Sequence, residues 1–220
     1  MTENPGIDII EGSDDRFTIL HLVFNNELKQ SNRFHHELKD RLQTEYTTVS
    51  IGVRDWNRDL SPWKAPPVFG KDDFGDGAKD VLDFIERDVI PQTTGQIVIG
   101  GYSMAGLFSL WCGYESEAFQ GIAATSPSVW FPGWMEYISD HTMNTRTVYL
   151  SIGNRESHTK NAIVSKVAEN IEEQHRLLCS AGIDCILEWN EGNHFDNVEE
   201  RTIDSYVKTI NEVHRTVHHP

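Results

Sequence analysis

Short apolar runs alternate along the chain with longer stretches in which apolar residues recur every three or four positions. The short runs predict β-strands over residues 17–24, 46–53, 97–99, 121–124, 147–152 and 184–189, and residues 7–10 predict an antiparallel edge strand. The periodic stretches predict helices that begin at Ser31 and Asp76, and further helices over residues 104–111, 158–178 and 197–213. This alternation is typical of a largely parallel sheet with right-handed crossovers.

The second of these helices has recognisable ends. Asp76 is a suitable N-cap, Pro91 is expected to end the helix, and its apolar face consists of Ala78, Val81, Leu82, Ile85 and Val89. No internal repeat, low-complexity tract or linker interrupts the pattern of the chain. We therefore predict a single α/β domain over residues 1–220, with three layers: a mostly parallel central sheet and helices on both faces.

The composition of the chain limits the classes of partner that we expect. A formal net charge of −15 argues against nucleic acid or an anionic membrane surface as a partner. The sequence has no signal pattern at its N-terminus and no apolar run near the roughly 20 residues of a membrane helix. The three cysteines lie in apolar contexts without metal-ligand spacing, which suits reduced thiols. We expect a cytoplasmic protein without a cofactor or metal ion, and its oligomeric state is left open.

One strand-to-helix junction carries a serine in a motif with chemical meaning. Residues 97–106 read IVIGGYSMAG, so that a β-branched run ends in Gly-x-Ser-x-small. At such a turn the serine hydroxyl is exposed above the sheet, and only small residues fit two positions to either side. Ser103 is therefore predicted to be the nucleophile of a serine hydrolase, with Gly101 and Ala105 as its small neighbours.

The ends of two later strands supply an acid and a base. The strand at 147–152 runs into a loop that contains Glu156, and the strand at 184–189 runs into a loop that contains His194. Functional residues of open parallel sheets gather at the carboxyl ends of the strands. The order serine, acid, histidine is the chain order of α/β-hydrolases. These three residues are the predicted catalytic triad.

Each predicted role follows from the chemistry. A serine hydroxyl becomes a nucleophile when a neutral imidazole takes its proton, and this base is His194. A carboxylate, here Glu156, fixes the imidazole tautomer and stabilises the imidazolium as it forms. Glu191 and Asp196 are alternative acids, but both lie too near His194 in sequence to face its far nitrogen easily.

Such a reaction also needs an oxyanion hole, which consists of two backbone N–H donors. The first is expected from Met104, the residue after the nucleophile, at the positive end of its helix. The second usually follows an earlier strand, and Asn25 at the end of the first clear strand is the candidate.

Two aromatic segments are candidates for substrate binding. Residues 54–63 follow another strand, and we predict that Arg54, Trp56 and Arg58 bind an acidic or planar substrate. The alternative is a structural loop whose tryptophans pack and whose arginines pair with aspartates. Residues 126–134 occupy the place where α/β-hydrolases insert lids. Because this insert is short, we expect an aromatic wall that includes Trp130 over an open cleft, and no mobile lid.

These motifs resemble those of the α/β-hydrolase superfamily, in the esterase branch that includes esterase D and enterochelin esterase. The resemblance covers residues 17–206 and rests on GYSMAG at 101–106, LSIGNRE at 150–156 and EGNHF at 191–195. Residues 55–63, DWNRDLSPW, also resemble a subgroup known only as esterases or hydrolases. The resemblance implies the same triad, although alanine replaces the usual second glycine at 105 and glutamate stands at 156 where many members have aspartate.

Three functions are compatible with these residues. The first is a serine esterase that hydrolyses a small-molecule ester through an acyl-enzyme. The second uses the same triad for acyl transfer or thioester hydrolysis, which a water-poor aromatic cleft would favour. The third is a non-catalytic binding module on a hydrolase fold. The complete triad favours the esterase, whereas acyl length and alcohol identity are not encoded in any motif.

Overall fold

The computed structural model describes residues 5–10 and 16–218, and within them seven strands form one sheet. The strands are β1 (Gly6–Ile10), β2 (Phe17–Phe24), β3 (Tyr46–Val53), β4 (Gln96–Tyr102), β5 (Gly121–Thr125), β6 (Thr147–Gly153) and β7 (Asp184–Asn190). Their order is β1-β3-β2-β4-β5-β6-β7, and each neighbouring pair is parallel apart from the antiparallel pair of β1 and β3. The predicted sheet and its antiparallel edge are confirmed.

The same residues contain seven α-helices: α1 (Ser31–Lys39), α2 (Trp56–Asp59), α3 (Ala78–Phe84), α4 (Met104–Glu115), α5 (Trp134–Asp140), α6 (Val167–Ser180) and α7 (Val198–His218). After α3 the chain continues through a π-helical turn at Ile85–Val89 and a 3-10 turn at Ile90–Gln92. Pro91 thus lies in the last turn of this helical segment, as predicted. None of the helices in the described ranges is long and apolar enough to span a bilayer.

Two apolar clusters cover the two faces of the sheet. Phe17 and Ile19 of β2 pack with α1 and α7, whereas Leu20 and Leu22 pack with the larger cluster under α3, α4 and α6. This division follows from the alternation of side chains along a strand. Each fully buried leucine, isoleucine or phenylalanine contributes roughly 1.5–3 kcal/mol. Both faces are therefore firmly anchored, and the carboxyl ends of β4 to β7 are held side by side.

Two predicted helix starts are wrong. Asp76 is not the N-cap of α3, because Gly77 occupies that position and the Asp76 carboxylate lies 3.4 Å from Lys64 Nζ. The helix predicted from residue 158 begins at Val167 as α6. Before it, the Asn161 side chain accepts hydrogen bonds from the N–H groups of Ile163 and Val164, which stabilises a turn in place of a helix.

Candidate active site

Ser103 lies between β4 and α4 in a backbone conformation that few side chains adopt. Its φ is 59° and its ψ is −118°, and its N–H donates to the Thr125 carbonyl over 3.0 Å. Backbone strain of this kind costs on the order of 1–3 kcal/mol and is typical of functional sites. A Cβ added to Gly101 would lie 2.5 Å from the Ala105 Cβ. The turn is thus as tight as the small residues around the serine indicate.

The structure brings Ser103, His194 and Glu156 together. The His194 Nε2 atom lies 3.1 Å from the Ser103 Oγ, and the His194 Nδ1 atom lies 2.8 Å from a Glu156 carboxylate oxygen. Glu156 follows β6 and His194 follows β7, so the three groups come from the carboxyl ends of three strands. Of the alternative acids, Glu191 is exposed, and the Asp196 carboxylate accepts the Asn193 N–H over 2.8 Å.

The second oxygen of Glu156 is held by donors of its own. It accepts hydrogen bonds from the Ser126 hydroxyl at 2.6 Å, the Gly153 N–H at 2.7 Å and Arg201 Nη2 at 3.1 Å. Burial by itself raises the pKa of the Glu156 carboxyl, but the hydrogen bonds of His194 and Ser126 outweigh burial and hold this pKa below its usual value. The carboxylate is therefore ionised and fixed in orientation.

Sequence reasoning missed Arg201, which is the central cation of this network. Its side chain is 4% exposed and also donates to the Tyr102 hydroxyl and to the Asn190 side chain, over 2.9 Å each. The Tyr102 hydroxyl in turn donates to the His194 carbonyl over 2.7 Å. Arg201 thus connects the acid to the loop of the histidine. No sequence signal marks it, because Arg201 lies about half a turn away from the apolar positions Ile203 and Ile210 of the last helix.

A second serine lies beside Ser103 and was also missed. The Ser128 Oγ is 3.3 Å from the Ser103 Oγ, and the Ser128 N–H donates to the Ser103 carbonyl over 3.1 Å. Ser128 is fully buried. Its position depends on the loop after β5, and no sequence pattern marks it.

The structure places the two residues that were expected to supply oxyanion donors, Met104 and Asn25, in different environments. Met104 is the first residue of α4, where the N–H groups of the first turn have no intrahelical acceptor. Asn25 is wrong as a donor, because its N–H donates to the Val53 carbonyl of β3 over 2.9 Å. Successive N–H groups of an extended strand point to opposite sides, so the N–H of the preceding residue, Phe24, points away from β3 toward the β4 side. Pairing of β2 with β4 ends below this point, at His21 and Gly100.

A cleft of about 590 Å³ opens at Ser103 and His194 and continues between α1 and α7. Its apolar lining includes Leu22, Val23, Phe24, Phe34, Trp56, Phe195 and Val198. Trp56 stacks on Phe24 with ring centroids 4.2 Å apart, so this tryptophan does lie at the cleft. Arg33 and Glu199, also in the lining, form an ion pair of 2.6 Å between the two helices.

The other predicted binding residues lie elsewhere. Arg54 and Arg58 line a separate hollow of about 890 Å³ beside α3, and Arg58 pairs with Asp59 over 2.9 Å. Trp130 is 7% exposed and packs edge-on against Phe69 at 5.3 Å. It belongs to the core and, within the described residues, does not line the Ser103 cleft. The expectation of an aromatic wall around Trp130 is therefore wrong, since the loop after β5 folds inward.

The sequence matches no family model and has no significant match among curated proteins. Solved structures do share its fold. The siderophore hydrolase EstA from Aspergillus nidulans has a TM-score of 0.69 at 17% identity, covering 96% of this chain and 95% of its own. The enterobactin esterase FES from Shigella flexneri has a TM-score of 0.69 at 14% identity, covering 95% of this chain and 55% of its own. The Bacillus cereus carboxylesterase has a TM-score of 0.62 at 15% identity, covering 96% of each chain.

The chain therefore has the α/β-hydrolase fold that these esterases share. In this fold the protein places a serine, a histidine and a glutamate at the carboxyl edge of the sheet, above a largely apolar cleft.

Proposed function

We propose that this protein is a serine hydrolase that cleaves carboxylic esters of small molecules. The observation that supports this most directly is the continuous chain of contacts from the Ser103 hydroxyl through His194 to Glu156, at 3.1 and 2.8 Å. Such distances are within the hydrogen-bonding reach that a nucleophile and its general base require. The esterase fold of the similar structures is in accord with the proposal.

In the proposed reaction Ser103 Oγ attacks the ester carbonyl carbon while His194 Nε2 takes its proton. Glu156 stabilises the imidazolium and holds the tautomer in which Nδ1 carries a proton. The imidazolium then protonates the leaving alcohol, and an acyl-enzyme remains on Ser103. A water molecule, deprotonated by the same histidine, attacks the acyl carbonyl and releases the acid and the free serine.

We assign the oxyanion hole to the N–H groups of Met104 and Phe24. The Met104 N–H lies at the N-terminal end of α4, where the helix dipole favours negative charge. The Phe24 N–H faces the β4 side, above the last paired residues of β2 and β4. Two such donors stabilise the tetrahedral intermediate, and loss of one typically costs about 10²–10³ in kcat.

A fluorophosphonate probe, which phosphonylates activated serines, tests the nucleophile. We expect the probe to label Ser103 in the folded protein, and expect Ser103→Ala to lose both labelling and at least about 10³-fold in kcat on short-chain nitrophenyl esters. Ser128→Ala is the matched control, because this neighbouring hydroxyl is 3.3 Å from the Ser103 Oγ but makes no hydrogen bond with His194 in the described structure. Labelling that survives in Ser103→Ala, or is lost in Ser128→Ala alone, would contradict the assignment.

Product analysis separates hydrolysis from acyl transfer. With an added alcohol or thiol as competing acceptor, we expect the free acid to remain the main product. A dominant transfer product would assign the same triad to an acyltransferase.

A cytoplasmic location and a single domain remain predictions from the sequence.

A further inference from the structure

A histidine that the proposed reaction does not use lies at the floor of the Ser103 cleft. His21 of β2 pairs in register with Gly100 of β4, so both residues face the same side of the sheet. A Cβ on Gly100 would lie 2.9 Å from the Tyr206 ring, so this side is the one covered by α7. His21 is partly exposed, and it lines the cleft together with Ser103. Its exposed part therefore faces the cleft.

The imidazole ring of His21 is fixed by two neighbours. Phe34 of α1 stacks on it with ring centroids 4.0 Å apart and an interplanar angle of 8°. Tyr206 of α7 meets it edge-on, with the hydroxyl oxygen 3.1 Å from His21 Nδ1. The ring thus has one orientation, in which Nδ1 is already partnered.

The hydrogen bonds of Tyr206 determine which nitrogen of His21 carries the proton. The Tyr206 hydroxyl lies 3.0 Å from the Leu20 carbonyl, and since a carbonyl can only accept, the hydroxyl donates its single proton there. The Tyr206 oxygen must then accept from His21, so His21 carries its proton on Nδ1. Burial lowers the pKa of His21 to about 3, which keeps the ring neutral. Nε2 is consequently an unprotonated acceptor.

This acceptor has no hydrogen-bond donor in the described part of the chain. Within residues 5–10 and 16–218, Nε2 of His21 makes no hydrogen bond, and the ring packs against the apolar side chain of Phe34. An acceptor left unsatisfied in an apolar site costs free energy when a substrate displaces its water. A substrate that supplies a donor at this point avoids that cost.

We propose that Nε2 of His21 accepts a hydrogen bond from a hydroxyl group on the substrate, so that the enzyme selects esters whose buried arm is apolar and ends in a hydroxyl. The proposal rests on the proposed ester hydrolase function. His21 is level with Gly100, three residues before Ser103, so its backbone lies roughly 10 Å below the nucleophile along the strand direction at about 3.3 Å per residue. His21 is a specificity residue and takes no part in proton transfer.

A pair of esters that differ in one hydroxyl tests the proposal. We would compare kcat/KM for nitrophenyl 3-(4-hydroxyphenyl)propionate and nitrophenyl 3-phenylpropionate. Wild type should prefer the hydroxylated ester about tenfold, the effect of one net hydrogen bond. His21→Phe should abolish this preference, and His36→Phe, an exposed histidine on the same helix as Phe34, should retain it. An equal preference in wild type and His21→Phe, or none in wild type, would overturn the proposal.

A second measurement uses the wild-type protein, so it does not depend on whether a variant folds. In two-bond ¹⁵N–¹H spectra of labelled wild type, His21 should show a protonated Nδ1 and an unprotonated Nε2, and 3-(4-hydroxyphenyl)propionate should shift Nε2 more than 3-phenylpropionate does. A protonated Nε2, or equal shifts from both acids, would overturn the proposal. Absence of Ser103-dependent turnover would instead contradict the esterase function, because these spectra report on His21 independently of catalysis.

Discussion

Replacing Arg201 with methionine tests whether the buried cation holds the acid of the site. The change keeps much of the apolar volume and removes the donors to Glu156, Ser126, Tyr102 and Asn190. Arg201 lies in the first turn of α7. A positive charge at this end of a helix interacts unfavourably with the helix dipole, which costs about 0.3–1 kcal/mol. Its location is therefore favourable because of these partners and not because of the helix.

The expected loss of stability follows from the burial of the two side chains. Both side chains of the Arg201–Glu156 pair are at most 4% exposed, and removing one partner of such a pair leaves a buried charge uncompensated. That loss is about 3–5 kcal/mol in the free energy of unfolding. The double variant Arg201→Met/Glu156→Gln removes both charges, so its cost should be smaller than the sum of the two single costs.

Urea unfolding of wild type, both single variants and the double variant at pH 7 measures these quantities. Arg33→Met is the matched control: its guanidinium is 66% exposed and pairs with Glu37 and Glu199, so we expect a loss below about 1 kcal/mol. Strict additivity in the cycle, or a loss from Arg201→Met as small as that of the control, would refute the reasoning.

Three further predictions concern the turn, the cleft and the core. Gly101→Ala should cost about 1–3 kcal/mol in thermal unfolding and lower activity, because its Cβ would meet Ala105 at 2.5 Å. The pKa of His21 is lowered to about 3, so its stabilisation is present above the unfolded value near ~6.5 and is lost as the pH falls. From pH 7 to 5, the free energy of unfolding of wild type should fall by about 2 kcal/mol more than that of His21→Phe, and an equal loss in both would contradict this. Trp130→Ala should cost about 3–5 kcal/mol with KM unchanged, whereas Trp56→Ala should raise KM several-fold; the reverse pattern would contradict the placement of these tryptophans.

The parts of the fold that depend on local pattern could be predicted from the sequence. β2 and β3 have the predicted bounds because each is rich in apolar and β-branched residues and lies between polar turns. Ser103, Glu156 and His194 could be picked because each follows a strand, and parallel strands end at one edge. This placement at the ends of parallel strands can be predicted without knowing any side-chain contact.

The parts that depend on contacts between distant segments could not be predicted. Trp130 has the same local sequence whether it forms a wall or packs inward, and its inward position depends on contacts with Phe69 and Phe74, more than 50 residues earlier. Arg201 and His21 gain their partners only when α7 packs across β4, β5 and β6, which brings Tyr206 to β2. Asn25 failed as a donor because successive N–H groups of a strand point to opposite sides, and its own N–H points to β3. The N–H of the preceding residue points to the other side.

The proposed reacting groups and one wall of the cleft come from different segments of the chain. The proposed reacting groups lie between residues 103 and 194, at the ends of β4, β6 and β7, whereas one whole wall of the cleft comes from β2, α1 and α2. Exchanging the side chains of β2, α1 and α2 that line this wall would thus present a new binding surface, while Ser103, His194, Glu156 and the backbone N–H of Phe24 stay in place. Substrate range in this architecture can therefore diverge by side-chain substitution in the N-terminal third of the chain, with the proposed reacting groups retained.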